Sequence, residues 1–282
     1  MSPDPYKIRD FVSDFDSIAD AFSERSRMLS ATAEVMANIK YGSGDRETVD
    51  VILPKRPHAG APLHVFVHGG YWRSGEKQNY RLVAAPVLAA GGIAAIVEYD
   101  LMPGARLDVL VAQVRRSLLW LQSKASDFGA DPTKTTVSGH SAGAHLASFL
   151  AARGPAETAM PRLPTVQALL LVSGIYDLSD IPTSFLRDEA KMSQEEAADW
   201  SPLTSAQRPG PRRIIAVGAE ETAPFQDQAA AFHTLSNGIG EGGDLVVAPG
   251  LNHMNIVLDL ADPDGILGWR LFDLVDGAGK RA

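Results

Sequence analysis

Thr135-Thr136-Val137-Ser138-Gly139-His140-Ser141-Ala142-Gly143-Ala144-His145 decides the fold. The β-branched run from Thr135 to Val137 predicts the end of a buried strand, and the small, apolar run from Ala142 to Ala152 predicts a helix. Between them stands Gly139-x-Ser141-x-Gly143. A strand that turns at once into a helix needs a tight, strained corner. Glycines on both flanks let strand and helix approach where a Cβ would clash. Ser141 at the apex is then lifted clear of the sheet, and the amide of Ala142 points from the helix N-terminus at anything bound there. Taken alone, the pentapeptide also fits an ordinary strand–helix turn with an exposed serine.

Working outward, the same alternation recurs. Val49, Val51 and Leu53 alternate with Asp50 and Ile52, a strand pattern, and Pro54 to Pro62 is a polar turn. Leu63 to Val67 is a short apolar strand that runs into His68-Gly69-Gly70-Tyr71-Trp72. The apolar stretch Leu82 to Val97 is interrupted by Pro86 and Gly91-Gly92 and is too short for a bilayer span; it reads as a helix end followed by a strand. Leu107, Leu110, Val111, Val114, Leu118 and Leu121 mark one face of an amphipathic helix. Strands are predicted again at Val166–Val172, Arg213–Val217 and Leu245–Ala248, with a helix from Phe225 to Leu235 and a last helix, 256–275, interrupted at Asp262-Pro263-Asp264-Gly265. Alternating strands and helices imply a mostly parallel sheet covered on both faces, with functional groups at the carboxyl ends of the strands.

Two segments stand outside this alternation. Ile8, Phe11, Phe15, Ile18 and Phe22 recur at helical spacing and predict a helical arm over residues 1–40. Residues 177–211 form a polar insertion that is either padding or a lid, with a capping box at Ser193-x-x-Glu196. Repeats, low-complexity tracts and linkers are absent, so one domain over 1–282 is expected.

Composition narrows the class of function. Of 282 residues, 45% are hydrophobic and 21% charged, as in a chain that buries a full core. A net charge of −8 argues against nucleic acid or an anionic membrane as partner. A small molecule is the expected partner, and a homodimer is left open. With no cysteine there are neither disulfides nor thiolate metal sites, which fits a reducing cytoplasm. The N-terminus lacks the basic and apolar regions of a signal peptide, so a cytoplasmic location is expected. The seven histidines show no HxH or HExxH spacing and there is no GxxxxGK loop, so neither a metal nor a nucleotide cofactor is expected.

The chain order is Ser141, then a carboxylate at Glu220 or Glu221, then His253, each after a predicted strand. That is the Ser–acid–His order of the α/β-hydrolase fold. A serine hydroxyl is a poor nucleophile at neutral pH, so an imidazole must take its proton during attack. A carboxylate must hold that imidazole in the right tautomer. The oxyanion that forms needs backbone donors, which Gly70, Tyr71 and Ala142 can supply.

HGGYW (68–72), GHSAGAH (139–145), VGAEE (217–221) and NHMNIV (252–257), with YDLMPGARL (99–107) and the helical arm, resemble the kynurenine formamidase branch of the α/β-hydrolases, close to the hormone-sensitive-lipase esterases. The resemblance spans most of the chain. It implies an α/β-hydrolase sheet with a small helical cap, a nucleophile at Ser141, an acid at Glu221, a base at His253 and an oxyanion loop at Gly69, Gly70 and Tyr71. Glu221 is preferred over Glu220 because it stands three residues after Gly218, as the acid does in the similar proteins. Two positions depart from the pattern: the acid is Glu where Asp is frequent, and Tyr71 replaces a third glycine of the lipase-like branch.

Other residues have two readings. Tyr71 and Trp72 could wall an acyl or aryl pocket or simply pack; His140 could flank the pocket or pack beside Ser141. His68 is expected to pin the oxyanion loop through its ring nitrogens, and His145 to be a satisfied core residue. The expected function is a serine hydrolase acting through an acyl-enzyme on small carboxylic esters or aryl formamides. The alternatives are a non-catalytic ligand-binding protein on the same fold and a hydrolase of another amide or imide.

Overall fold

Two buried strands carry the centre of the molecule: β3 (Ala61–Val67) and β5 (Ala130–His140), paired in parallel in a computed structural model that describes residues 3–56, 58–239 and 243–280. Around them an eight-stranded sheet runs in the order β1 (Glu34–Lys40), β2 (Thr48–Leu53), β4 (Ile93–Val97), β3, β5, β7 (Ala168–Val172), β9 (Arg212–Gly218) and β10 (Asp244–Ala248). From β4 to β10 every pairing is parallel; β2 is antiparallel to both of its neighbours. β4 and β7 are continuous apolar runs because helices cover both sheet faces, while β3 and β5 bury His64, Thr136 and Ser138 in a polar contact between them. A separate two-residue ladder joins β6 (Ala152–Arg153) to β8 (Ala206–Gln207).

The helices are α1 (Phe15–Thr32), α2 (Ala84–Ala89), α3 (Leu107–Ser123), α4 (Ala142–Ser148), α5 (Arg187–Ala190), α6 (Gln194–Asp199), α7 (Ala223–Asn237), α8 (Asn255–Leu260) and α9 (Ile266–Lys280). The apolar face of α3 is buried along its length, at Leu107, Leu110, Val111, Val114, Leu118 and Leu121. No helix among the described residues is long and apolar enough to cross a membrane.

The structure corrects several sequence expectations. The helical arm expected over 1–40 ends at Thr32; residues 34–40 are the edge strand β1, paired to β2. The helix after Ser141 ends at Ser148, and Phe149–Ala151 tighten into a 3-10 turn before β6. In the 177–211 insertion, Ser193 caps α6 by accepting the amide of Glu196 at 3.1 Å, but Glu196 does not return the bond. Its carboxylate instead takes the amide of Leu107 at 2.8 Å and the Arg106 guanidinium, fastening the insertion to the start of α3. Asp50, in the alternating strand pattern, is fully buried; Arg81 and Lys77 neutralise it there.

Candidate active site

The corner at Ser141 is as tight as its glycines require. A Cβ on Gly139 would lie 2.4 Å from the Gly143 carbonyl oxygen, and one on Gly143 would lie 2.1 Å from the carbonyl oxygen of Val67. No side chain fits either place. Ser141 itself is held at φ +55°, a conformation that L residues adopt only under constraint. Its carbonyl accepts the amides of Ala144 and His145, which starts α4 directly behind it.

Three strand ends bring the expected groups together. The His253 ring places Nε2 3.0 Å from Ser141 Oγ and Nδ1 2.7 Å from Glu221 Oε2. Glu221 follows β9 and is buried, whereas Glu220 is exposed. The second oxygen of Glu221 accepts the Gly218 amide at 2.8 Å and the hydroxyl of Ser173. With both oxygens engaged, the carboxylate is fixed in position and holds the imidazole in turn. Phe225 packs on the His253 ring, centroids 4.3 Å apart.

His140 lies beside this line. Its Nε2 donates to the His253 carbonyl at 2.9 Å, and the rings approach to 4.8 Å. Burial first, then the nearness of His253, pushes the His140 imidazole well below its usual range, so it is neutral. It also borders the cavity.

The loop after β3 supplies the opposite wall. Gly70, Tyr71 and Ser141 all border one cavity of about 600 Å³. Among the described residues, the amides of Gly70, Tyr71 and Ala142 donate to no other protein group. Gly69 packs against Ser141: a Cβ there would stand 3.1 Å from Ser141 Cβ. Tyr71 and Trp72 are both left-handed, at φ +51° and +59°. The pocket reading fails for Trp72. It is fully buried behind the loop, where Nε1 donates to His145 Nδ1 at 3.1 Å. The other ring nitrogen of His145 donates to the Trp200 carbonyl at 2.8 Å, so that histidine is a fully bonded core residue.

The apolar walls come from Ile8, Phe15 and Phe22 of the N-terminal segment, Tyr71 and Tyr80, and Phe185 of the insertion. Arg73 and Glu189 add a charged edge, Nε to Oε2 at 2.5 Å, close enough for an ion pair but not aligned as a hydrogen bond. Sequence reasoning missed Ser173 and Phe225. A small residue just past the apolar strand at Val172 was the available signal for Ser173; the Phe225 contact is set by tertiary packing alone. Among the described residues, no group of three or more His, Asp or Glu is placed to hold a metal ion.

The BD-FAE family profile matches residues 49–234, from β2 into α7. A kynurenine formamidase of Salmo salar is 31% identical over 86% of this chain and 81% of its own. Esterase LipQ of Mycobacterium tuberculosis is 31% identical over 51% of this chain and 36% of its own. The solved structure of esterase LipW from Mycobacterium marinum superposes with a TM-score of 0.69, at 21% identity, covering 98% of this chain and 92% of that one.

Proposed function

This chain belongs to the BD-FAE family of α/β-hydrolases and resembles kynurenine formamidase and the hormone-sensitive-lipase-type esterases, and we propose that it is a serine hydrolase of small carboxylic esters or aryl formamides. The observation that carries this reading is the hydrogen-bonded line Ser141–His253–Glu221, opening on a cavity bordered by undonated amides. Ser141 Oγ attacks the substrate carbonyl while His253 Nε2 takes its proton. Glu221 keeps the proton on Nδ1 and stabilises the imidazolium that forms. Negative charge develops on the carbonyl oxygen, facing the amides of Gly70, Tyr71 and Ala142. His253 then returns its proton to the departing amine or alcohol. Water attacks the acyl-Ser141 bond by the same route, releasing the acid.

The cavity of about 600 Å³ exceeds the space a formyl or acetyl group fills, so an aryl leaving group has room beside the apolar walls of Phe15, Phe22 and Phe185. The test is to measure kcat/KM on p-nitrophenyl acetate and N-formylkynurenine side by side. A much higher value on the formamide makes the chain an arylformamidase; good ester turnover with negligible formamide cleavage makes it a short-chain carboxylesterase. Turnover of neither overturns the reading and favours a ligand-binding protein or another amide or imide as substrate.

A further inference from the structure

A second histidine–carboxylate pair lies buried beneath the loop that carries Gly70 and Tyr71. The His68 ring is fully enclosed, with Nε2 2.8 Å from Glu98 Oε1 and Nδ1 2.7 Å from the carbonyl oxygen of Gly69. A carbonyl oxygen can only accept, and the Tyr99 hydroxyl, 3.5 Å from Nδ1, gives its proton to the nearer His68 carbonyl at 2.7 Å, so Nδ1 carries a proton. Glu98 also accepts from the Arg46 guanidinium and from the amides of Lys77, at 3.0 Å, and Tyr99, at 3.3 Å. A carboxylate surrounded by donors is ionised, so Nε2 carries a proton as well. Tyr99 and Tyr80 stack on the ring, at 4.5 Å and 5.5 Å between centroids, a placement that favours a cation. Burial raises the pKa of both phenols, Tyr80 to about 12, so they stay neutral. Burial pushes the Glu98 carboxyl up; His68, the Lys77 amide and Arg46 more than offset this and hold it below its usual range.

We infer that His68 is a positioning residue held as a doubly protonated imidazolium, and that it turns and polarises the Gly69–Gly70 peptide for the oxyanion. The geometry follows from the trans peptide, in which C=O and N–H point in opposite directions. His68 pulls the Gly69 carbonyl to one side, which aims the Gly70 amide to the other. A charge-assisted hydrogen bond on the carbonyl also makes the amide at the far end of that peptide a stronger donor. Glu98 balances the charge, and the hydroxyl of Tyr99 fixes the preceding peptide by donating to the His68 carbonyl at 2.7 Å. The inference rests on the proposed role of the Gly70 amide as an oxyanion donor, but the charge state is measurable without substrate.

The experiment is a residue-assigned side-chain 1H–15N spectrum of the histidine-labelled protein near neutral pH, joined to kinetics of Glu98→Gln on p-nitrophenyl acetate. The expected wild-type spectrum has both His68 nitrogens protonated. In Glu98→Gln one of the two protons is lost, and kcat falls about tenfold with KM within about twofold, a fraction of the loss seen when a whole oxyanion donor is removed. A singly protonated His68 in the wild type overturns the inference even if the variant fails to fold. An unchanged kcat in a folded variant that has lost the proton overturns the link from charge to oxyanion. Failure of the wild type to hydrolyse ester or formamide overturns the proposed function instead, and the spectrum still decides the charge of His68.

Discussion

His253–Glu221 and His68–Glu98 are two buried imidazole–carboxylate pairs of nearly equal length, 2.7 Å and 2.8 Å. What separates them is the group facing the second nitrogen. His253 Nε2 faces a hydroxyl, which can donate or accept, so that nitrogen can be empty and take a proton. His68 Nδ1 faces a carbonyl at 2.7 Å, which can only accept, and a Tyr99 hydroxyl whose proton goes to the His68 carbonyl, so that nitrogen stays filled. The first pair is suited to moving a proton and the second to holding one. A carboxylate partner therefore does not by itself make a histidine a base.

Removing the proton-moving side should have the largest effect. Ser141→Ala or His253→Ala is expected to lower kcat on the preferred substrate by on the order of 10⁴-fold or more, because the proposed nucleophile and base have no substitute nearby. Glu221→Gln should cost roughly 10³- to 10⁴-fold, since an amide can stabilise the wrong tautomer. Steady-state assays of the three variants, beside the expected tenfold loss in Glu98→Gln, compare the two pairs directly. Equal losses in the two Glu→Gln variants would show that both carboxylates do the same work and break the distinction.

Buried histidines without a carboxylate sharpen it further. His64 sits between the hydroxyls of Thr136 and Ser138, and His145 between the Trp72 indole and the Trp200 carbonyl. Burial alone pushes His64 down to about 3; burial, partly offset by the Trp200 carbonyl, pushes His145 down to about 4. Both are neutral when folded and take up a proton when unfolded below about pH 6.5. The unfolded chain therefore binds more protons than the folded one in that range, and stability rises with pH. It is fully present above about pH 6.5 and is lost as pH falls towards 4 and then 3. For His145 the loss by pH 4 should be about 3 kcal/mol. Urea denaturation at a series of pH values across this window checks it; a midpoint that does not fall towards acid would mean these histidines are not held neutral.

Much of this was legible in the residues. The Gly139–Gly143 corner and the strand ends before Glu221 and His253 depend on local pattern, and the structure brings Ser141, Glu221 and His253 together. The residues alone leave Glu220 and Glu221 open, and only the resemblance, in which the acid stands three residues after the glycine, prefers Glu221; the structure buries Glu221 and exposes Glu220. The helical spacing of the arm runs only from Ile8 to Phe22 and says nothing about residues 34–40, which pairing with β2 makes a strand. An aromatic next to the glycine loop fits pocket wall and plain packing alike, and the structure decides for packing at Trp72, which is left-handed and fully buried. The charge of His68 was out of reach, because it depends on which atoms of residues 69 and 98 face the ring.

The smallest expected effect tests what keeps the Gly70–Trp72 loop in its conformation. Tyr71 and Trp72 are consecutive left-handed residues with large side chains, a strain of roughly 1–2 kcal/mol each. Trp72 is restrained from below by its bond to His145. Tyr71 is restrained from above: its hydroxyl donates to the Tyr6 carbonyl, and its ring meets Phe185 edge-on at 5.4 Å. The segment around Tyr6 is itself tied down. Thr222 donates to the Pro5 carbonyl at 2.7 Å, and Asp4 accepts the Phe185 amide at 2.5 Å. Tyr71→Phe keeps the ring and its contacts and removes only the hydroxyl bond, worth about 1 kcal/mol. If that bond holds the Tyr71 amide towards the oxyanion, the loss falls on the transition state, and kcat should drop about fivefold with KM nearly unchanged. If KM rises while kcat stays intact, Tyr71 shapes the cavity wall and the Trp72–His145 bond is the restraint that holds the loop.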